Sequence, residues 1–229
     1  MPWLWSCASH VATLGSEVIG IDPTTAQVRA ARDRGAGPRY ARARAEAVPC
    51  RDASSDAVVL CLALEHIDAF EDAISEAARV LEPGARFVLL LARPLLQAPG
   101  SGWVDDRIVG EHDWRIGSYL REGTVVDTVA PGVDFVFIHR PLSRYVHAMG
   151  EAGLSIDDME EPSPPPGFLA EAGGFAEAAT IPRVLLLRAR AAPELPISGR
   201  GRPVGRRTRA PVGTSDGSSY ASSARSDRE

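Results

Sequence analysis

The chain has 229 residues, enough for one ordinary α/β domain with a real core and a tail. Hydrophobic residues make up 45% and charged residues 24%, the balance of a soluble globular protein, and the net charge of −5 argues against a general nucleic-acid binder. No apolar run nears the ~20 residues that span a bilayer, and Met1 to Ser6 has neither the basic nor the apolar region of a secretory signal, so a cytoplasmic protein away from membranes is expected.

In chain order, residues 17–22 (EVIGID) form a short apolar run of the kind that makes a buried parallel strand. Residues 24–34 follow as a helix, with Asp22 or Thr24 available to cap it and Pro23 near its first turn, and Gly35 and Gly37 break it. Residues 38–43 supply the next strand. A firmer strand, 56–62 (DAVVLCL), leads to a helix over 68–81 that places Phe70, Ile74, Ala77, Ala78 and Leu81 on one face. Glu82-Pro83-Gly84 turns the chain into another apolar strand, 86–92 (RFVLLLA). Strands and helices alternating at this spacing predict a parallel, doubly wound sheet.

The second half is less regular. Residues 100–131 show no clean period and are expected to cover one end of the sheet as loops and short helices. A strand over 133–138 precedes a helix over 142–152, with Leu142, Tyr145, Val146 and Met149 inward and Gly153 at its end. Strands 154–159 and 183–188 (RVLLLR) are expected to finish the sheet as an antiparallel edge pair, separated by a proline-rich loop over 162–166. The expected domain is 1–192. Residues 193–229 read as a disordered tail of Gly, Pro, Ser and Arg, too poor in apolar groups to offset the entropy of ordering.

All 25 basic residues are Arg, which excludes a P-loop lysine, a pyridoxal Schiff base and any side-chain amine nucleophile. Cys7, Cys50 and Cys61 have no CxxC spacing and read as small buried hydrophobes suited to a reducing compartment, neither a metal cluster nor a disulfide framework. No histidine trio has metal-ligand spacing, and no GxSxG elbow exists.

Ligands of open α/β sheets bind beyond the carboxyl ends of the strands. Asp22 closes the first strand, where a carboxylate can accept two hydrogen bonds from a ribose diol or else cap the next helix. The successive pieces VIGID (18–22), AEAVPC (45–50), SDAVV (55–59), ALEHI (63–67) and RVLEPGARFVLL (79–90) together resemble the class I S-adenosylmethionine-dependent methyltransferases, especially the group around methyltransferase type 11 domains. The resemblance is detailed from Leu14 to about Arg93 and looser through residues 139–154 and Glu160-Glu161-Pro162. It implies a Rossmann-like sheet and S-adenosyl-L-methionine as cofactor. It assigns Asp22 to the ribose hydroxyls, Ala45 and Glu46 to the adenine edge, and the Leu62–Ala63 backbone to the cofactor's flank. One departure is Arg44, which stands where the family usually has an acidic residue.

His66 has two readings. It could act as a base toward an acceptor hydroxyl or amine, or it could make a structural hydrogen bond near the strand end, which the family's frequent histidine there favours. His112 and His139 are further polar groups on the substrate side, and by fold analogy Trp103, Trp114, Tyr119, Phe135 and His139 should line the acceptor pocket. The family's glycine loop, aligned backward from Gly15, falls on Met1 to Trp5, which holds no glycine. The first strand and glycine loop are therefore expected to be missing from this chain, with residues 3–6 available as a stub strand. The function expected is methyl transfer to an O, N or C nucleophile of a small molecule. The alternatives are a non-catalytic methyltransferase-like binding or scaffold protein, favoured if the front is truly absent in the cell rather than lost to a misplaced start, and a nicotinamide-dependent oxidoreductase, which ALEHI and RVLEPG do not fit. The sequence carries no signal for oligomeric state or for the acceptor's identity.

Overall fold

A helix, α1 (Ser6–Thr13), opens the computed structural model, which describes residues 6–35, 37–106, 111–130, 133–167 and 180–193. These residues belong to one unit, Met1–Glu194; a second unit, Leu195–Glu229, lies outside the described residues, as do Met1 to Trp5 and hence the expected position of the glycine loop. Ser6, allotted to a stub strand by the sequence reading, begins α1 instead. The helix ends where Gly15 takes a φ of 89°, a left-handed turn that glycine adopts without steric cost.

β1 (Ile19–Asp22), α2 (Thr25–Asp33) and β2 (Arg39–Arg42) follow as one strand–helix–strand unit. β1 and β2 pair in parallel, Gly20 opposite Tyr40 and Asp22 opposite Arg42. Val28, Ala31 and Tyr40 form the small core of this unit, and Ala8 of α1 packs against it.

A non-helical crossing leads to β3 (Ser55–Cys61), a 3-10 turn at Leu64–His66, α3 (Phe70–Val80) and β4 (Leu81–Ala92). Ladder pairing on β4 starts at Leu81, earlier than the turn residues suggest. A register irregularity between Ser55 and Ala57 accommodates Pro83 and Gly84, the latter at φ 77°. Arg79 anchors the crossing by donating to the carbonyls of Val48 and Cys50 and to the carboxylates of Asp52 and Glu76.

Residues 102–130 correct the expectation of loops and short helices. β5 (Gly102–Asp106) and β6 (Glu111–Arg115) pair as one antiparallel ribbon, and β7 (Gly123–Ala130) pairs with β8 (Val133–His139) as another. The first ribbon is held by the cross-strand pair Trp103–Trp114, with ring centroids 5.3 Å apart and edge to face. The second is built from β-branched residues, Thr124, Val125, Val126 and Val136 among them.

α4 (Leu142–Glu151), β9 (Leu154–Glu160) and β10 (Val184–Ala191) complete the chain. The larger sheet runs β3-β4-β10-β9, with β3 and β4 parallel and β10 antiparallel to both its neighbours, as the edge-pair expectation had it. The main core lies against this sheet. Phe70, Ile74 and Ala77 of α3, Phe87, Leu89 and Leu91 of β4, Tyr145 and Met149 of α4, and Leu185 and Leu187 of β10 are all buried. The fold is α/β, Rossmann-like, with mixed pairing at the β9 side.

Among the described residues no strand pairs with the outer edge of β1 or of β3. The exposure of apolar side chains follows: Ile19 is 50% and Val59 46% exposed, though parallel strands normally bury both faces. No helix among the described residues is long and apolar enough to cross a membrane.

Candidate functional site

The carboxyl ends of β1 and β3 carry the residues singled out above. Asp22 is half-buried, and its Oδ1 accepts the Thr24 N–H at 2.7 Å and the Thr24 hydroxyl at 2.6 Å. That is the local turn-and-cap role a carboxylate plays before a helix. Among the described residues no hydrogen bond engages Oδ2, so the same side chain keeps one oxygen for a ligand.

Beyond β3 the chain makes a strained exit. Leu62 sits at φ 48°, the left-handed region that a branched side chain rarely enters, and its N–H donates to the Leu90 carbonyl at 2.8 Å. Such strain costs of order 1–3 kcal/mol and concentrates at ligand sites. Ala63 follows, and its carbonyl accepts the His66 N–H at 2.9 Å, closing the 3-10 turn.

Ala45 packs against the main core, and Glu46 is spoken for. Arg44 donates to Glu46 Oε1 at 2.7 Å within a tight turn, and that hydrogen bond holds the Glu46 carboxyl below its usual range. The arginine that replaces the family's acidic residue thus occupies the very carboxylate assigned to the adenine edge.

His66 Nδ1 lies 2.7 Å from the Val136 carbonyl, which can only accept, so Nδ1 carries the proton. The ring meets Phe137 edge-on at 4.5 Å and Phe135 at 5.8 Å. His66 therefore pins β8 to the turn after β3, and its Nε2 has no described partner.

The aromatic residues expected around an acceptor divide into three groups. Trp103 pairs with Trp114; Phe135 packs on His66; and Tyr119 meets the buried His139, whose Nε2 donates to the Tyr119 carbonyl at 2.8 Å. The Tyr119 hydroxyl accepts the Leu142 N–H at 2.9 Å. His112 falls on β6, where its side chain is outside what the structure describes. A wide hollow of about 450 Å³, lined in part by Arg32, Pro38 and Arg39, opens at the amino end of β2 and holds none of the predicted site residues.

Two residues escaped the sequence reading. Glu65 is buried, one oxygen accepting the Ala92 N–H at 2.9 Å while Oε2 has no partner among the described residues, and burial pushes its carboxyl above the usual range. Arg140, also buried, donates to the carbonyls of Leu64, Ile67 and Asp68 and lies over the Phe70 ring at 4.3 Å. The one available signal was a charged residue inside each of the apolar runs ALEHI and VFIHRPL. Among the described residues no cluster of three or more His, Cys, Asp or Glu could hold a metal.

Comparison with known proteins agrees with this architecture. A family profile described as "Methyltransferase domain" matches residues 6–89. Over 111 residues the chain is 34% identical to the ubiquinone/menaquinone biosynthesis C-methyltransferase of Methylobacterium nodulans, covering 46% of this chain and 42% of that protein. Over 80 residues it is 39% identical to the demethylmenaquinone methyltransferase of Thermus thermophilus, covering 33% of this chain and 36% of that one. The chain thus spans less than half the length of the curated relatives it matches. Among solved structures, an S-adenosylmethionine-dependent methyltransferase from Mesorhizobium loti superposes with a TM-score of 0.65 at 30% identity, over 76% of this chain and 80% of the other. A sheet with its acidic residue at the end of β1, a strained exit from β3 and these relatives lead to one assignment: the chain belongs to the S-adenosylmethionine-dependent methyltransferases, a family of enzymes whose cofactor is S-adenosyl-L-methionine.

Proposed function

We propose that this chain binds S-adenosyl-L-methionine at the carboxyl ends of β1 and β3 and transfers its methyl group to an O, N or C nucleophile of a small molecule. The observation that carries the reading is the pairing of a half-free carboxylate, Asp22, with a left-handed backbone at Leu62, each at the end of a parallel strand. These residues fit the adenosine part of the cofactor. Asp22 Oδ2 accepts from the ribose hydroxyls, and the Leu62–Ala63 backbone flanks the cofactor. Glu46, tied to Arg44, contributes shape and main-chain groups to the adenine edge rather than a free carboxylate.

The bound cofactor supplies a methyl group already activated on a sulfonium, so the residues need only hold, align and exclude water. His66 is the available base: its protonated Nδ1 is fixed on the Val136 carbonyl, which leaves Nε2 as the lone pair. Both curated relatives act on quinone precursors by name, and a demethylated quinone precursor is the first acceptor to offer. The shared stretch is short, however, and the aromatic ribbons of the second half select the acceptor.

Calorimetric titration with S-adenosylhomocysteine tests the site. Asp22→Ala should weaken binding by ~1.5–3 kcal/mol, the worth of a hydrogen bond to a charged group. Unchanged affinity would reduce Asp22 to its role beside Thr24. A second reading, a methyltransferase-like binding protein without catalysis, has its own support: the Glu46 carboxylate is tied up by Arg44. Tight binding of S-adenosylhomocysteine with no transfer of labelled methyl to any offered acceptor would favour it.

A further inference from the structure

Cys7 stands in the first turn of α1 and Cys61 is the last residue of β3, 54 positions along the chain. Their Sγ atoms lie 2.9 Å apart, both residues are half-buried, and both are free thiols. The surroundings make this contact more than a chance approach of two small side chains. Apart from Cys7, α1 belongs to the small unit: Ala8 packs on Val28, Ala31 and Tyr40, and the Ser9 hydroxyl meets the Tyr40 hydroxyl at 3.4 Å. Cys61 belongs to the four-stranded sheet. The two sulfurs therefore touch across the gap between sheets that share no ladder among the described residues.

We propose that Cys7 and Cys61 are an oxidation site: a peroxide closes them into a disulfide that ties α1, and through it the β1–β2 unit, to the carboxyl end of β3. This does not rest on the methyl-transfer reading. Cys7 gives up its proton and its thiolate attacks one peroxide oxygen; the O–O bond breaks, an S–O bond forms, and the departing hydroxide takes up that proton and leaves as water. The Cys61 sulfur then attacks the sulfur of the Cys7 sulfenic acid; the S–S bond forms, the S–O bond breaks, and the hydroxide leaves with the Cys61 proton as a second water. Two thiols lose two electrons and one peroxide gains them. Burial and the Cys7 contact push the Cys61 thiol up to about 12, which suits it to the second, resolving step.

The absence of lysine makes the test clean. Trypsin cuts only after arginine here, which places Cys7 in peptide 1–29, Cys50 in 45–51 and Cys61 in 52–79. The full chain is treated with hydrogen peroxide, blocked with N-ethylmaleimide and digested without reductant. The expected product joins 1–29 to 52–79 while Cys50 is alkylated, and dithiothreitol reverses it. Cys61→Ser should leave a Cys7 sulfenic acid that dimedone traps, and Cys7→Ser should give no linked peptide. Oxidised chain should melt about 5 °C higher, as expected when a long loop is closed in the unfolded state. Oxidation that yields only sulfinic acids, a bond to Cys50 or bonds between molecules would overturn the proposal, as would an unchanged melt in fully linked protein.

Discussion

The four-stranded sheet and the β1–β2 unit are built to different standards. The larger sheet sits on sixteen buried residues drawn from two helices, three strands and the turn after β3; the smaller unit has Val28, Ala31 and Tyr40. Both contain a parallel strand pair; among the described residues β1–β2 has no strand partner on either edge, and β3–β4 is open only on the β3 side. The difference lies in what backs the strands. A ladder of hydrogen bonds is worth little net stability without apolar side chains to keep water from it. The proposed cofactor site draws Asp22 from the thin region, Leu62 and Ala63 from the thick one, and Ala45 and Glu46 from the crossing that joins them along the chain. Stability at the site is thus unequal by construction.

Core truncation should expose this most clearly. Leu89→Ala, in the thick region, should cost ~2–5 kcal/mol in denaturant unfolding, the scale of a buried leucine lost with little relaxation. Val28→Ala should cost about 1.5 kcal/mol, two methylene-sized groups' worth, and should chiefly accelerate amide exchange in β1 and β2. Equal losses of protection across both regions would show that they unfold as one.

Arg140 sharpens the contrast from inside the thick region. Arg140→Met keeps bulk over Phe70 but removes the donors to the carbonyls of Leu64, Ile67 and Asp68. About 3 kcal/mol should go, with protease sensitivity rising around residues 64–68 and not in β1–β2. Cleavage in β1–β2 first would mean that the clamp supports the whole unit.

The smallest effect concerns Glu65 and pH. Burial raises its folded-state pKa above the ordinary 4.5, so the folded chain holds a proton that the unfolded chain releases. Its contribution is therefore fully present below about pH 4.5 and fades as pH rises through the folded value. Glu65→Gln keeps an acceptor for the Ala92 N–H and removes the titration, so the variant should gain stability on the parent as pH rises from mildly acidic to neutral. Parallel melting curves over that range would deny the burial of an ionisable proton there.

How much of this could be read from sequence varied with the same two regions. The strands of the larger sheet announce themselves as apolar runs, and RFVLLLA and RVLLLR fall where expected. The helices α2, α3 and α4 were visible from apolar spacing and glycine stops. The ribbons β5–β6 and β7–β8 were not, because their pairing depends on contacts such as Trp103–Trp114 that local periodicity cannot reveal. α1 lacked any apolar stripe strong enough to mark it. At the site, strand order placed Asp22 and Leu62, but the side-chain partners came from elsewhere. That Arg44 holds Glu46, that His66 spends Nδ1 on Val136, and that Arg140 reaches back to the turn after β3 are facts of three-dimensional neighbourhood.

The unpaired edges of β1 and β3 have a mechanical consequence. Adjacent strands in a ladder are locked at ~4.8 Å, a stiff spacing set by hydrogen-bond length. Between β1 and β3 no such lock exists among the described residues, and the joint is carried by α1 and the crossing over 44–54. Packed side chains yield more readily than a ladder does, so the separation of Asp22 from Leu62 is a compliant dimension of the molecule. A ligand held by both residues of the proposed site would act as a spacer bar, its own length setting the gap.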